Sequence, residues 1–214
     1  MTRPLRADAE RNRRKLLDAA ADLFARKGLS VGLDEIARHA GVGVGTAYRR
    51  FPDKEQLIDA LFEDRVEQVV ALAEQAAERD DAWAGLEEFI AGNVQLQSTD
   101  QGLKELVFGS PHGRARVESA RARIMPAVVR IVARAQSAGQ LRGDVEHTDI
   151  ALTVFMLTGL ADITRGTHPD VWRRHLRVVL DGLRTPQPGE MPAPPLSPDA
   201  LEQVIQGLPH GTRR

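Results

Sequence analysis

The residues best suited to chemistry in this sequence lie between Gly41 and Lys54, in GVGVGTAYRRFPDK, where hydroxyls and cations crowd a short span. Arg49 carries a planar guanidinium whose forked N–H groups match O6 and N7 of guanine, and Lys54 carries a mobile point charge suited to a phosphate. What these groups offer is hydrogen bonding to a nucleic acid rather than bond making. Other chemistries find less support. GVGVG resembles a phosphate-cradling loop, but Thr46 stands where the third glycine of GxGxxG belongs and no strand precedes it. The histidines show no HExxH spacing, and His168 with His175, Asp170 between them, reads as an ordinary surface pair. Ser110, in FGSPHG, lacks the GxSxG elbow and a base partner. Without any cysteine there is no disulfide, thiol nucleophile or Cys-based zinc site. An enzyme would need a convergent site among helices, so no catalytic residue, metal or cofactor is expected.

Helices must position the Arg49 segment. Leu16, Leu17, Ala20, Leu23 and Phe24 recur at three- and four-residue spacing and predict a helix ending near Gly28. LDEIARHAG gives a second, with Ile36, Ala37 and Ala40 on one face and Gly41 in a turn. VGTAYRRF gives a short third, after which Pro52 and Asp53 interrupt and cap a new start. The second and third helices match the bihelical unit that lays its second member in the major groove. Ala37, Ala40 and Ala47 permit close approach, and the glycines of GVGVG are expected to bend the chain into the recognition helix.

A fourth helix runs from Lys54 through Leu57, Leu61, Val66, Val69 and Leu72 until RDDA interrupts it. Further helices are expected from Trp83 to about Gln97, near Leu103 to Phe108, from about Arg114 to Ala138, from Thr148 to Thr164 and from Asp170 to Leu183. Pro126 should kink or break the third of these. No segment alternates as a strand does, so the fold class is all-α. After Arg184, TPQPGEMPAPPLSP cannot form a packed core and reads as a linker or tail. Leu201, Val204, Ile205 and Leu208 follow Ser197, a candidate cap, and suggest a short docked helix.

The formal net charge of −1 hides a gradient that matters for partners. Residues 1–54 hold 12 Lys and Arg against 7 Asp and Glu, a net +5, while the remainder carries −6. The basic end suits phosphate and the acidic remainder suits solubility. Arg3, Arg6, Arg11, Arg13 and Arg14 precede or open the first helix, where they serve either as a free basic arm on DNA or as a solvated face. No apolar run approaches the roughly 20 residues of a membrane span. The N-terminus lacks a secretion signal, so a cytoplasmic location is the default expectation.

The span from RNRRKLLDAAADLFARKG through DEIARHAGVGVGTAYRRFPDKEQLIDAL resembles the N-terminal domain of the TetR family, with the leading helix, AGV turn, GTxY core and FxxKExL exit in order. The resemblance implies a three-helix DNA-binding domain over 1–53, a helical regulatory and dimerisation domain over 54–184, and a tail over 185–214. It places Val44, Gly45, Thr46 and Arg49 against base edges and Tyr48, Arg50 and Lys54 against phosphates, with Thr46 available to both. Two departures stand out. Gly43 replaces a common polar cap, as Gly32 does before the second helix, and Arg50 stands where histidine or tyrosine is frequent.

The closing segments AGQLRGDVEHTDIALTVFMLTGLADIT and VWRRHLRVVLDGLR resemble those of SbtR-like members, which implies a four-helix bundle across a dimer two-fold. Val154, Leu157, Ala161, Leu176, Val179 and Leu183 are the interface candidates, and each serves intrachain packing equally well. Phe62, Trp83, Phe89, Phe108, Met125, Phe155 and Met156 could line an effector pocket or simply pack as core. The implied protein is a ligand-responsive repressor that binds a pseudopalindromic DNA operator as a homodimer. The competing reading is a ligand-independent architectural DNA-binding protein.

Overall fold

The computed structural model describes residues 3–98, 113–184, 191 and 193–206, which form α-helices with no β-strand among them. In chain order they are α1 (Arg3–Lys27), a 3₁₀ turn (Gly28–Ser30), α2 (Leu33–His39), α3 (Val44–Arg50) and α4 (Lys54–Ala77). Then come α5 (Ala82–Ser98), α6 (Gly113–Ser137), α7 (His147–Thr164), α8 (Val171–Leu183) and α9 (Pro198–Gln206). Two compact units divide inside α4, between Val66 and Glu67. The division lies beyond the expected 53/54 boundary because the first turns of α4 bury Leu57, Ile58 and Leu61 in the same core as α1 to α3.

In the first unit α1 turns Leu16, Leu17, Ala20 and Phe24 inward, and α2 meets them with Leu33, Ile36 and Ala37. Arg26 and Lys27 occupy the last turn of α1, where positive charge complements the helix dipole. Gly28 follows at φ 69°, the left-handed conformation that ends a helix at little cost for glycine.

The second unit is built on α7, which packs against α5 on one side and α8 on another. Glu146 and Asp149 form a reciprocal capping box at its start. Leu86 and Ile90 of α5, Ile150 and Leu157 of α7 and Leu180 of α8 are almost fully buried between them. The link from α6 to α7 is fastened by Arg142, whose guanidinium forks onto Asp144 at 2.7 and 2.8 Å and holds that carboxyl below its usual pKa. The amide of Arg142 donates to the Leu183 carbonyl at 3.1 Å, and an isolated antiparallel bridge joins Leu141 to Arg184.

Pro126 sits inside α6 without interrupting it. The ring cannot bond the carbonyl of Ala122, but both residues are exposed, so water can satisfy that carbonyl and the expected break is not needed. Ser197 caps α9 through the Ala200 amide at 3.2 Å, and α9 rests on α7 with Leu201 buried. The helix expected near Leu103–Phe108, together with Ser110 and Leu208, lies outside the described residues. Among the described residues no helix is long and apolar enough to cross a membrane. No group of three or more His, Asp or Glu among them is placed to hold a metal.

Among the described glycines, Gly85 leaves the least room for a side chain. A Cβ there would lie 2.3 Å from the Ala76 carbonyl oxygen, so α4 and α5 touch backbone to backbone. Gly85→Ala is expected to force the helices apart and cost about 1–3 kcal/mol, the usual range for overpacking. A urea midpoint equal to that of wild type would contradict this.

Candidate nucleic-acid interface

Gly41 makes the turn between α2 and α3, at φ 64°, while its amide and that of Val42 still donate to the carbonyls of Arg38 and Ala37. A residue with a Cβ would be strained there. The other two glycines behave differently from expectation. Gly43 is extended at φ −60°, ψ 134°, and Gly45 lies inside α3, so neither needs glycine's freedom to bend the chain. Gly43 caps α3 through its carbonyl alone, accepting from the Thr46 and Ala47 amides at 2.8 and 3.0 Å. Gly32 caps α2 in the same way.

Ala47 is fully buried against the core that holds Ile36 and Ala37, and this fixes the rotation of α3. Gly45, Tyr48, Arg49 and Arg50 therefore face outward. Thr46 is half-buried, and Val44 is half-buried against the core, which leaves it less able to reach a base than the family pattern implies. Arg49 Nη2 donates to Thr46 Oγ1 at 3.0 Å, so the hydroxyl orients the guanidinium before any ligand arrives. The Asp34 carboxylate of α2 lies close enough to the Tyr48 hydroxyl to raise its pKa.

Arg50 Nη2 stands 3.9 Å from Glu10 of α1. Lys54 turns inward: its ammonium donates to the Leu29 carbonyl and lies 5.8 Å from the centroid of the Phe24 ring. The N-terminal arginines also depart from the free-arm reading. α1 is helical from Arg3, Arg11 pairs with Asp8, Arg13 with Glu10 at 3.5 Å, and Arg14 with Asp18 and Asp64 at 3.2 and 3.0 Å. Asp34, Glu10 and the Leu29 carbonyl are the partners that sequence reasoning missed. No linear spacing announces them, because only the packing of α1, the 3₁₀ turn and α2 against α3 and the start of α4 brings them there.

Gly45 offers a clean probe. A Cβ there meets nothing within 4 Å, so Gly45→Ala should raise stability by about 0.5–1 kcal/mol, the helical gain of alanine over glycine. The same methyl projects from the outward face and should weaken specific DNA binding. A stabilised variant with unchanged DNA affinity would remove Gly45 from the contact surface.

In the second unit the expected interface residues pack within the unit itself. Val154, Leu157, Ala161, Leu176 and Leu183 are buried in the chain's own core, and Val179 is half-buried against it. Instead α7 exposes Phe155, Met156 and Ile163, and α8 exposes Val178. The pocket candidates scatter. Trp83 and Phe89 are buried core and Met125 packs on it, Phe155 and Met156 face outward, Phe62 belongs to the first unit, and Phe108 lies outside the described residues.

A bihelical unit with a buried alanine spine and an outward arginine-bearing helix, followed by a separate all-helical unit, defines a helix-turn-helix DNA-binding regulator. Comparison with known proteins narrows the class. Residues 16–61 match the profile of the bacterial regulatory proteins of the tetR family, and residues 81–185 match the SbtR-like transcriptional regulator C-terminal domain. A TetR transcription regulatory protein from Mycobacterium vanbaalenii superposes with a TM-score of 0.68 at 37% identity, covering 85% of this chain and 100% of that one. The TetR regulator SCO0520 from Streptomyces coelicolor gives 0.64 at 29% identity, covering 80% of this chain and 98% of that one. The chain belongs to the TetR family of transcriptional regulators. Among curated relatives, the HTH-type regulator SrpR of Pseudomonas putida is 39% identical over 66 residues, a match that spans 30% of this chain and 31% of SrpR.

Proposed function

We propose that this protein is a repressor that binds a pseudopalindromic operator as a homodimer and releases it when a small molecule occupies the second unit. The observation that carries the reading is the outward face of α3. Tyr48 is 46% exposed, and Arg49 beside it is exposed with its guanidinium already oriented by Thr46. Arg49 is assigned to a guanine edge, with Gly45 and Thr46 close to the bases and Arg50 on the backbone.

Dimerisation is supported by the apolar side chains that α7 and α8 leave in water, a pattern that marks a surface awaiting a partner. For an effector, the second unit offers buried polar groups without a hydrogen-bond partner, the Trp83 indole nitrogen, the Thr148 and Thr158 hydroxyls and Arg165 Nε. Such groups are costly to leave unsatisfied, and a polar atom of a ligand seated beside one of them would supply the missing partner. Ligand binding then favours a conformation in which the two α3 helices no longer match the operator spacing.

Selection of bound duplexes from a random pool, repeated with candidate metabolites, tests the reading. Two inverted half-sites whose recovery falls with one class of metabolite is the expected result. Recovery of unrelated sequences at equal affinity would favour an architectural DNA-binding protein instead.

A further inference from the structure

We propose that Gly159 forms a notch in the outward face of α7 that receives Val178 from α8 of a second copy of this chain, an inference that rests on the homodimer reading. Glycine weakens a helix interior relative to alanine, so a glycine there calls for a compensating reason. Gly85 and Gly92 of α5 find theirs inside the chain, because a Cβ would lie 2.3 Å from the Ala76 carbonyl oxygen at one and 2.7 Å from the Leu72 side chain at the other. At Gly159 a Cβ would meet nothing within 4 Å. Nothing among the described residues requires the missing side chain.

The surroundings of Gly159 are shaped for a partner. Phe155 and Ile163 lie one turn to either side of it on the same face of α7, and they are 39% and 85% exposed. Two bulky apolar side chains thus flank a gap in the stripe. On α8 the exposed apolar residue is Val178, 62% exposed, whose branched side chain protrudes from the helix. A hole on one helix and a knob on the next make the surface self-complementary, as a two-fold contact requires.

Charge selects the pairing. α7 carries Asp149 and Asp162 and no lysine or arginine, whereas α8 carries Arg173, Arg174 and Arg177 against Asp181. Packing α7 on a partner's α7 brings like charges together, and packing it on a partner's α8 brings opposite ones. Arg173 pairs with Asp170, and Arg177 with Glu87 and Asp181, but Arg174 is exposed and has no salt bridge among the described residues. The register follows from helical spacing. Arg174 stands one turn before Val178, and Asp162 about one turn after Gly159, so an antiparallel crossing that seats the partner's Val178 at Gly159 carries the partner's Arg174 to Asp162. Asp162 accepts from Arg165 at 2.6 Å, and a carboxylate can accept from more than one donor.

Sedimentation equilibrium of the full chain without DNA measures the dimer dissociation constant, and circular dichroism checks helix content. Gly159→Leu fills the notch and should raise that constant about tenfold or more, as overpacking of a fitted contact does, with helix content unchanged. Gly159→Ala, which favours the helix, should still raise it about threefold. Arg174→Asp should raise it about threefold, and adding Asp162→Arg should bring it back within about twofold of wild type. A Gly159→Leu protein that dimerises as tightly as wild type overturns the proposal, because the notch would then face water. Failure of the reversed charge pair to recover the dimer overturns the pairing of α7 with the partner's α8. If Gly159→Leu does not fold, Gly159→Ala decides by the same criterion. A wild type that stays monomeric at every concentration fails at the homodimer reading itself, a result distinct from these.

Discussion

Replacing Met156 and Val178 with glutamate is expected to split the protein into monomers and to abolish specific operator binding. These side chains are 54% and 62% exposed on α7 and α8, so the substitutions do not disturb the chain's own core. In a two-fold interface each new carboxylate would be desolvated close to its counterparts, and unpaired buried charge costs several kcal/mol. The monomer should keep a folded α3 and therefore weak, salt-sensitive attraction to any duplex. Specific binding typically exceeds nonspecific binding by about 10³-fold or more, and that margin is what should disappear. Light scattering beside operator titration measures both effects. A double variant that remains dimeric, or a monomer with wild-type operator affinity, removes this face from the mechanism. Leu157, by contrast, is 1% exposed, and a charge there would test folding rather than assembly.

Arg49→Ala is expected to weaken operator binding by about 1–3 kcal/mol, roughly 5- to 150-fold, and to relax preference at one base pair in each half-site. Thr46 holds the guanidinium at 3.0 Å, so part of that loss belongs to a donor fixed in advance rather than to a flexible cation. Binding to random DNA should fall far less. An unchanged selected sequence for the variant would move base recognition away from Arg49.

The helices were legible because their signals are local. The three- and four-residue recurrence from Leu16 to Phe24, the glycine after Lys27 and the Pro52–Asp53 interruption each report on a few neighbouring residues, and the structure carries each one. The exposure of Arg49 was legible for the same reason, since Ala47 and Phe51 define the inner face of a short helix. What escaped depends on distant segments. The partners of Tyr48 and Lys54 are Asp34 and the Leu29 carbonyl, which only the folding of α2 onto α3 and of α4 onto α1 brings near. The exposed apolar residues of α7 escaped for a different reason. α7 is apolar around most of its circumference, so periodicity could not tell the face bearing Leu157 from the one bearing Met156. Pro126 shows a local rule overridden by solvent exposure.

The central claim is that the outward face of α3 reads the major groove as one of a symmetric pair. Dimethyl sulfate reports on guanine N7, the groove-edge atom assigned to Arg49, so protection of the selected operator against methylation addresses the claim directly. The predicted result is two protected guanines, one per half-site, in symmetric positions about one helical turn or a whole multiple of it apart, with protection lost at both in Arg49→Ala. Guanines that stay reactive at saturating wild-type protein, or protection that persists without Arg49, would contradict it.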